Sequence, residues 1–176
     1  MNTTLSYIVK KFNLNLNQPQ PVKIESVGRN GLAKLFADLG FKKGAEIGVD
    51  RGAFSEILCQ ANPQLQLFSI DAWSTSAFED PLNTSKKMQK QFEEHYQDAK
   101  RRLARYNCKV IRKKSLDAVN NFDDNSLDFV YIDSNHNFVE VASDIYRWEK
   151  KVKAGGIISG HDYCHFPPTK DNHVKH

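Results

Sequence analysis

Two short polar clusters in the second half of the chain contain side chains that could transfer protons or bind a metal. Asp133 and His136 lie in the stretch IDSNH, and His161 and Asp162 are adjacent in GHDY. The imidazole of His136 titrates near neutral pH, so with Asp133 nearby it could act as a general base toward a hydroxyl. Asp133, His161 and Asp162 could instead bind a divalent cation, since carboxylates favour Mg²⁺ or Ca²⁺ and an imidazole tolerates Zn²⁺ or Mn²⁺. His136 could also simply cap a following helix.

A glycine-containing turn in the first third of the chain suggests a binding site. Gly48 and Gly52, in EIGVDRGAFSE, lie between an apolar strand-like run and a helix-like run. A residue without a side chain at such a turn would let a ligand approach the backbone. Asp71 follows the turn by about 20 residues, the position of an acid that accepts hydrogen bonds from ribose hydroxyls. The spacing therefore predicts a nucleoside-containing ligand, unless Asp71 only caps its own loop.

The turn does not match the two common phosphate-binding motifs. A dinucleotide site would have G-x-G-x-x-G, and a P-loop would have G-K-[ST] after its glycines. This chain has Asp50 and Arg51 between its two glycines, and an acid would repel a phosphate. The sequence therefore weighs against a nicotinamide oxidoreductase and excludes a P-loop.

The elements that must position these residues alternate between apolar runs and amphipathic runs. Strands are predicted at 45–49, 65–70, 108–113, 127–132 and 155–160, and helices at 30–39, 53–61, 86–106, 115–122 and 138–152. This alternation predicts an α/β, Rossmann-like parallel sheet with helices on both faces. Ligands of such sheets bind outside the carboxyl ends of the strands, at the switch in strand order. All the polar residues considered above follow predicted strand ends, which predicts one shared pocket.

Four of these segments together resemble a known enzyme family. In order they are EIGVDRGAFS, FSIDAW, LDFVYIDSNH and AGGIISGHDY. They resemble class I S-adenosylmethionine-dependent methyltransferases over about residues 44–163, most of all the small-molecule and sugar O-methyltransferases with Asp-x-x-His after strand four. The resemblance implies S-adenosylmethionine as cofactor and a hydroxyl of a small molecule or sugar as methyl acceptor. His161 replaces the first residue of the usual acidic pair after strand five, which weighs against Mg²⁺.

The resemblance also implies roles at the methionine and ribose ends of the cofactor. Glu46 and Gly48 would line the methionine end, and Gly52 would let a helix N-terminus approach its carboxylate. Asp71 would hold the ribose hydroxyls. Asp133 would contact the cofactor as well as the reacting groups.

Three further residues are implied at the adenine end. Trp73 or Leu116 would flank the adenine ring, and Ser115, or the backbone after it, would meet the adenine edge. Trp73 could equally be a half-buried anchor of its loop. A catalytically inactive cofactor-binding or assembly module remains the alternative function.

The composition of the chain limits its possible binding partners and its cellular compartment. The net charge of +4 is small, and the basic stretches are interleaved with acids, so we expect no nucleic-acid partner. The Asn/Asp-Pro-Pro-aromatic run of base methyltransferases is replaced by DSNH. Three widely spaced cysteines without metal-binding spacing indicate a reducing compartment. The sequence shows no signal peptide and no membrane span, so we expect a cytoplasmic protein without a membrane partner.

The predicted domain organisation depends on the composition of the two ends of the chain. Residues 1–25 are rich in Asn and Gln and are predicted to be an N-terminal arm, and residues 26–176 a cofactor-binding, methyltransferase-like domain. The resembled fold continues with a helix and two more strands, whereas the tail after residue 160 contains no strand-like run. Strand five is therefore a predicted sheet edge, which the arm or a second copy in a homo-oligomer could cover.

Overall fold

The computed structural model describes residues 3–19, 21–22, 24, 27–74, 86–134 and 137–161. The helices are α1 (Thr3–Phe12), α2 (Arg29–Asp38), α3 (Ala53–Ala61), α4 (Lys86–Leu103), α5 (Ser115–Ala118) and α6 (Phe138–Glu149). The strands are β1 (Lys43–Ile47), β2 (Gln66–Asp71), β3 (Cys108–Arg112), β4 (Leu127–Ile132) and β5 (Val152–Gly160), and a 3-10 turn follows α5 at Val119–Asn121. The five predicted strands are all present, with bounds displaced by three residues at most.

The five strands form one parallel sheet in the order β3-β2-β1-β4-β5. The central strand β1 pairs with β2 on one side and with β4 on the other, so that Ala45 lies between Phe68 and Val130. The chain thus builds outward from β1 to β3 and then crosses back to β4. This reversal makes β1 and β4 the switch point, where ligands of such sheets bind.

Both faces of the sheet are covered by helices, which explains why the strands read as apolar runs. Side chains of β4 alternate between the two faces: Phe129 packs with α2 and α3, while Val130 packs with α6. Phe129 stacks on Phe36 with ring centroids 4.1 Å apart, and the fully buried Trp148 packs against Phe122 at 5.2 Å. Each such side chain contributes about 1.5–3 kcal/mol through burial. The predicted Rossmann-like fold is therefore confirmed.

The N-terminal segment forms a helix that the sequence analysis did not predict. No residue of α1 is buried, but the Thr4 hydroxyl donates a hydrogen bond of 2.6 Å to the Gly155 carbonyl of β5. Lys11 pairs with Asp38 of α2 at 2.7 Å. The arm therefore contacts β5, one of the two outer strands in the described part of the sheet. The domain boundary at residue 25 stays a prediction.

Candidate functional site

A cavity of about 780 Å³ opens at the carboxyl ends of β1, β2 and β4 and beside the N-terminus of α5. Its volume lies within the range of small-molecule and cofactor sites. Most of the residues predicted to bind a cofactor line this cavity, namely Glu46, Gly48, Asp71, Trp73, Ser115, Leu116 and Asp133. Gly52 is not among the lining residues.

The two glycines of the β1–α3 turn are required by the protein's own packing. Gly48 has φ +88°, and a Cβ atom there would lie 2.0 Å from the carbonyl oxygen of Asp133. Gly52 has φ +77°, and its Cβ would lie 3.3 Å from the Cα of Ala99 in α4. These contacts explain both glycines without a ligand. The backbone of Gly48 nevertheless faces the cavity.

The Asp71 carboxylate stabilises the β1–α3 turn by accepting hydrogen bonds from its backbone. Oδ2 accepts hydrogen bonds from the backbone N–H groups of Val49 and Asp50 at 2.9 and 3.0 Å, and Oδ1 accepts one from Trp73 at 2.8 Å. A carboxylate has about four acceptor positions, so one position on Oδ1 remains for a ligand hydroxyl. The loop-capping alternative is thus present in the structure, and it leaves room for the predicted ribose contact.

Trp73 is an anchor of the turn. Its side chain is 2% exposed, and its indole N–H donates a 2.8 Å hydrogen bond to the Asp50 carbonyl. Its ring packs against Tyr96 of α4 with centroids 5.0 Å apart. Leu116 is 41% exposed and lines the cavity. Of the two residues predicted to flank adenine, Leu116 therefore has the more accessible apolar surface.

Ser115 belongs to a buried polar network that the sequence analysis missed. Its hydroxyl donates to Asp144 at 2.5 Å and accepts from the Trp148 indole at 2.8 Å. Ser134 donates to the other oxygen of Asp144 at 2.9 Å. Burial raises the pKa of Asp144. Because the single donor of the Ser115 hydroxyl is used here, a hydrogen bond donated to the adenine edge would have to come from the backbone after it.

Glu46 places a buried acid on the floor of the cavity. Its side chain is 2% exposed, and burial raises its pKa to about 8 despite a hydrogen bond from the Ser55 hydroxyl. That hydroxyl also lies 2.6 Å from the hydroxyl of Ser69. Glu46 neighbours Tyr131 of β4 in the sheet register, so it lies beside the end of β4 that carries Asp133.

Asp133 is paired with an arginine that sequence reasoning did not identify. The NH2 group of Arg29, the first residue of α2, donates to Asp133 Oδ2 at 2.5 Å. The Nε–H of Arg29 donates to the Tyr131 hydroxyl at 3.3 Å. The other Asp133 oxygen lies 3.8 Å from Nδ1 of His161. The predicted residues His136 and Asp162 lie outside the described residues.

The described residues give no support to the predicted divalent-cation site, and its third predicted ligand, Asp162, lies outside them. Within the described ranges, no group of three His, Cys, Asp or Glu side chains could hold a metal ion. Two of the three predicted ligands, Asp133 and His161, are described, and the Asp133 carboxylate is already paired with the Arg29 guanidinium. A cation at this carboxylate would have to displace or repel that positive group.

Comparison with known proteins agrees with the fold. A family model described as a methyltransferase domain matches residues 45–163. Among curated protein sequences, none matches the chain. No helix within the described ranges is both long enough and apolar enough to cross a bilayer.

Solved structures share the fold at low sequence identity. An O-methyltransferase from Bacillus cereus in complex with S-adenosylhomocysteine is 19% identical, with a TM-score of 0.56, over 91% of this chain and 66% of that one. The O-methyltransferase TomG from Streptomyces achromogenes, involved in tomaymycin synthesis and solved with S-adenosylmethionine, is 19% identical, with a TM-score of 0.55, over 90% and 64%. The chain thus aligns with just under two thirds of the length of these structures.

Proposed function

The chain belongs to the family of methyltransferase domains, and from that premise we propose that it binds S-adenosylmethionine in the cavity and methylates a hydroxyl. The acceptor class that we propose is a small molecule or sugar. The position of the cavity carries the proposal, since it opens at the switch between β1 and β4 with Asp71 closing β2. The two O-methyltransferase structures with bound cofactor or its product support the same assignment.

The charge of the cavity suits a cationic cofactor. Asp71 and Asp133 line it, the latter paired with Arg29, whereas Glu46, with its pKa of about 8, is uncharged at pH 7. S-adenosylmethionine carries a sulfonium and an ammonium, which such carboxylates attract, whereas the phosphates of a dinucleotide would be repelled. This difference favours the methyltransferase over the oxidoreductase hypothesis.

The nucleoside would bind between β2 and α5. Asp71 would accept a hydrogen bond from a ribose hydroxyl on the free side of Oδ1, while its other bonds hold the turn in place. Leu116 would cover one face of the adenine, because its exposed side chain borders the cavity there. The methionine chain would then extend over Gly48 toward β4.

The proposed reaction requires that the acceptor hydroxyl be aligned with the methyl group of the cofactor and that the hydroxyl proton be removed. When bound, S-adenosylmethionine supplies a methyl group on its sulfonium sulfur, ready for in-line displacement. We assign removal of the acceptor proton to His136, whose side chain has a suitable ordinary pKa and which follows Asp133 by three residues in the chain. The proposed reaction has no metal-dependent step, since the Asp133 carboxylate is paired with the Arg29 guanidinium.

Isothermal titration calorimetry with S-adenosylhomocysteine tests the binding half of the proposal. We expect saturable one-to-one binding by the full chain and no binding of NAD. Leu116→Asp should weaken binding about tenfold or more, because it adds a charge where the adenine would lose water. Leu5→Asp is the matched control, since Leu5 is 44% exposed and lies on α1, away from the cavity. Equal affinities for the two variants would contradict the proposed adenine position.

A second assay separates an enzyme from an inactive binding module. The chain is incubated with methyl-labelled S-adenosylmethionine and a panel of hydroxylated small molecules and sugars, and label transfer is followed by mass spectrometry. We expect transfer that falls strongly in His136→Ala, with cofactor binding retained. Binding without transfer to any acceptor would favour the module.

A further inference from the structure

Arg29 places a positive charge at one end of the cavity, next to Asp133. It lines the β1–β4 end, whereas the two lysines that line the cavity, Lys113 and Lys114, lie at the β3 end. The Arg29 side chain is 43% exposed and its partner Asp133 is 18% exposed. A ligand in the cavity can therefore reach the guanidinium without unfolding any described element.

The guanidinium is held in one orientation by three neighbours. It donates one bond to Asp133 and one to the Tyr131 hydroxyl, and it lies 5.7 Å from the centroid of the Phe54 ring. These two hydrogen bonds use two of its five N–H donors. A fixed, planar fork of this kind is suited to binding a second carboxylate in a bidentate manner.

We propose that Arg29 and Asp133 together bind the amino-acid end of the cofactor. Arg29 donates to the α-carboxylate, and Asp133 accepts from the α-ammonium, so that adjacent opposite charges in the protein match those of the ligand. This inference rests on the proposed binding of S-adenosylmethionine.

The spacing of the sheet agrees with this assignment. Asp71 ends β2 and Asp133 follows β4, with β1 between them. Neighbouring strands lie about 4.8 Å apart, so the two acids are separated by roughly 10 Å across the sheet. This separation suits a ligand whose ribose is at Asp71 and whose methionine chain crosses Gly48. Arg29 then reaches the end of that chain from α2.

The test compares ligands that differ at the amino-acid end. S-adenosylhomocysteine has both charged groups, S-adenosyl-3-thiopropylamine lacks only the carboxylate, and 5′-methylthioadenosine lacks both. Their affinities are measured by calorimetry for the full-length wild type and Arg29→Met. We expect Arg29→Met to weaken S-adenosylhomocysteine about 10- to 100-fold, the effect of losing charge-assisted hydrogen bonds. The other two ligands should change by less than about threefold.

Three further variants distinguish a direct contact with the ligand from a general structural effect. Arg29→Lys keeps the charge but loses the fork, and should lose part of the preference for the carboxylate-bearing ligand. Asp133→Asn should weaken both ammonium-bearing ligands and spare 5′-methylthioadenosine. Arg105→Met is the matched control, because Arg105 also pairs with a carboxylate, Glu56, but outside the cavity. It should leave all three affinities unchanged.

The outcomes are distinguishable. If Arg29→Met weakens all three ligands equally, or leaves S-adenosylhomocysteine unaffected, Arg29 only positions its neighbours and the inference is overturned. If the wild type binds none of the three ligands, the proposed function is wrong and the inference falls with it. Selective loss for the carboxylate-bearing ligand supports both.

Discussion

Glu46 makes the stability of the fold depend on pH in a direction opposite to that of most surface carboxylates. The side chain is 2% exposed, and its pKa is about 8 in the folded chain against an ordinary value of 4.5, because burial disfavours the charged form. Replacing it by glutamine substitutes a neutral side chain of nearly the same shape. We therefore expect Glu46→Gln to remove this pH dependence.

The sign and size follow from proton binding. Between pH 4.5 and 8 the folded chain retains the Glu46 proton and the unfolded chain does not, so raising the pH favours unfolding. Each pH unit costs about 1.4 kcal/mol, which amounts to about 4 kcal/mol between pH 5 and 8. The contribution is fully present below pH 4.5 and is lost as the pH rises through about 8.

Urea denaturation at pH 5, 6, 7 and 8 measures this difference. The free energy of unfolding of the wild type, minus that of Glu46→Gln, should fall by about 4 kcal/mol across the series. Glu94→Gln is the control, because its side chain is 58% exposed in a surface ion pair, and it should follow the wild-type profile. Parallel profiles for the wild type and Glu46→Gln would refute the assignment of Glu46 as a buried, protonated acid.

Three further substitutions test the turn that borders the cavity. Gly48→Ala should destabilise the fold by more than about 3 kcal/mol in urea denaturation, because the new Cβ would lie 2.0 Å from the Asp133 carbonyl oxygen and the backbone φ is +88°. A loss of stability below about 1 kcal/mol would contradict this packing. Trp73→Phe loses the indole bond to Asp50 and should lower the melting temperature by about 3–5 °C, so an unchanged value would argue against the anchor role. Asp71→Asn places an amide N–H donor against backbone N–H groups. It should lower the free energy of unfolding by about 2–4 kcal/mol and also weaken the binding of S-adenosylhomocysteine. Wild-type stability would show that these hydrogen bonds are unimportant.

The sheet and its helices could be predicted because burial on both faces leaves a strong local pattern. Each strand is a short apolar run, and each intervening helix carries an apolar stripe, so both element type and order were visible. The same logic placed Asp71 and Asp133 at one edge of the sheet. Helix α1 escaped prediction because none of its residues is buried and its sequence is rich in polar residues.

The partners of the site residues could not be predicted, since they depend on contacts between distant parts of the chain. Arg29 and Asp133 are 104 residues apart, and a single arginine at a helix start gives no local signal. Asp144 was detectable in principle, because it precedes the buried Trp148 by one helical turn on the apolar face. The packing reasons for Gly48 likewise required the position of β4, which only the folded structure supplies.

A crystal structure of the full chain with S-adenosylhomocysteine tests the central claim most directly. The account predicts the ribose within hydrogen-bonding distance of Asp71, the adenine against Leu116 and the amino-acid end between Arg29 and Asp133. A ligand bound elsewhere, or one whose carboxylate points away from Arg29 with its ribose remote from Asp71, would contradict it.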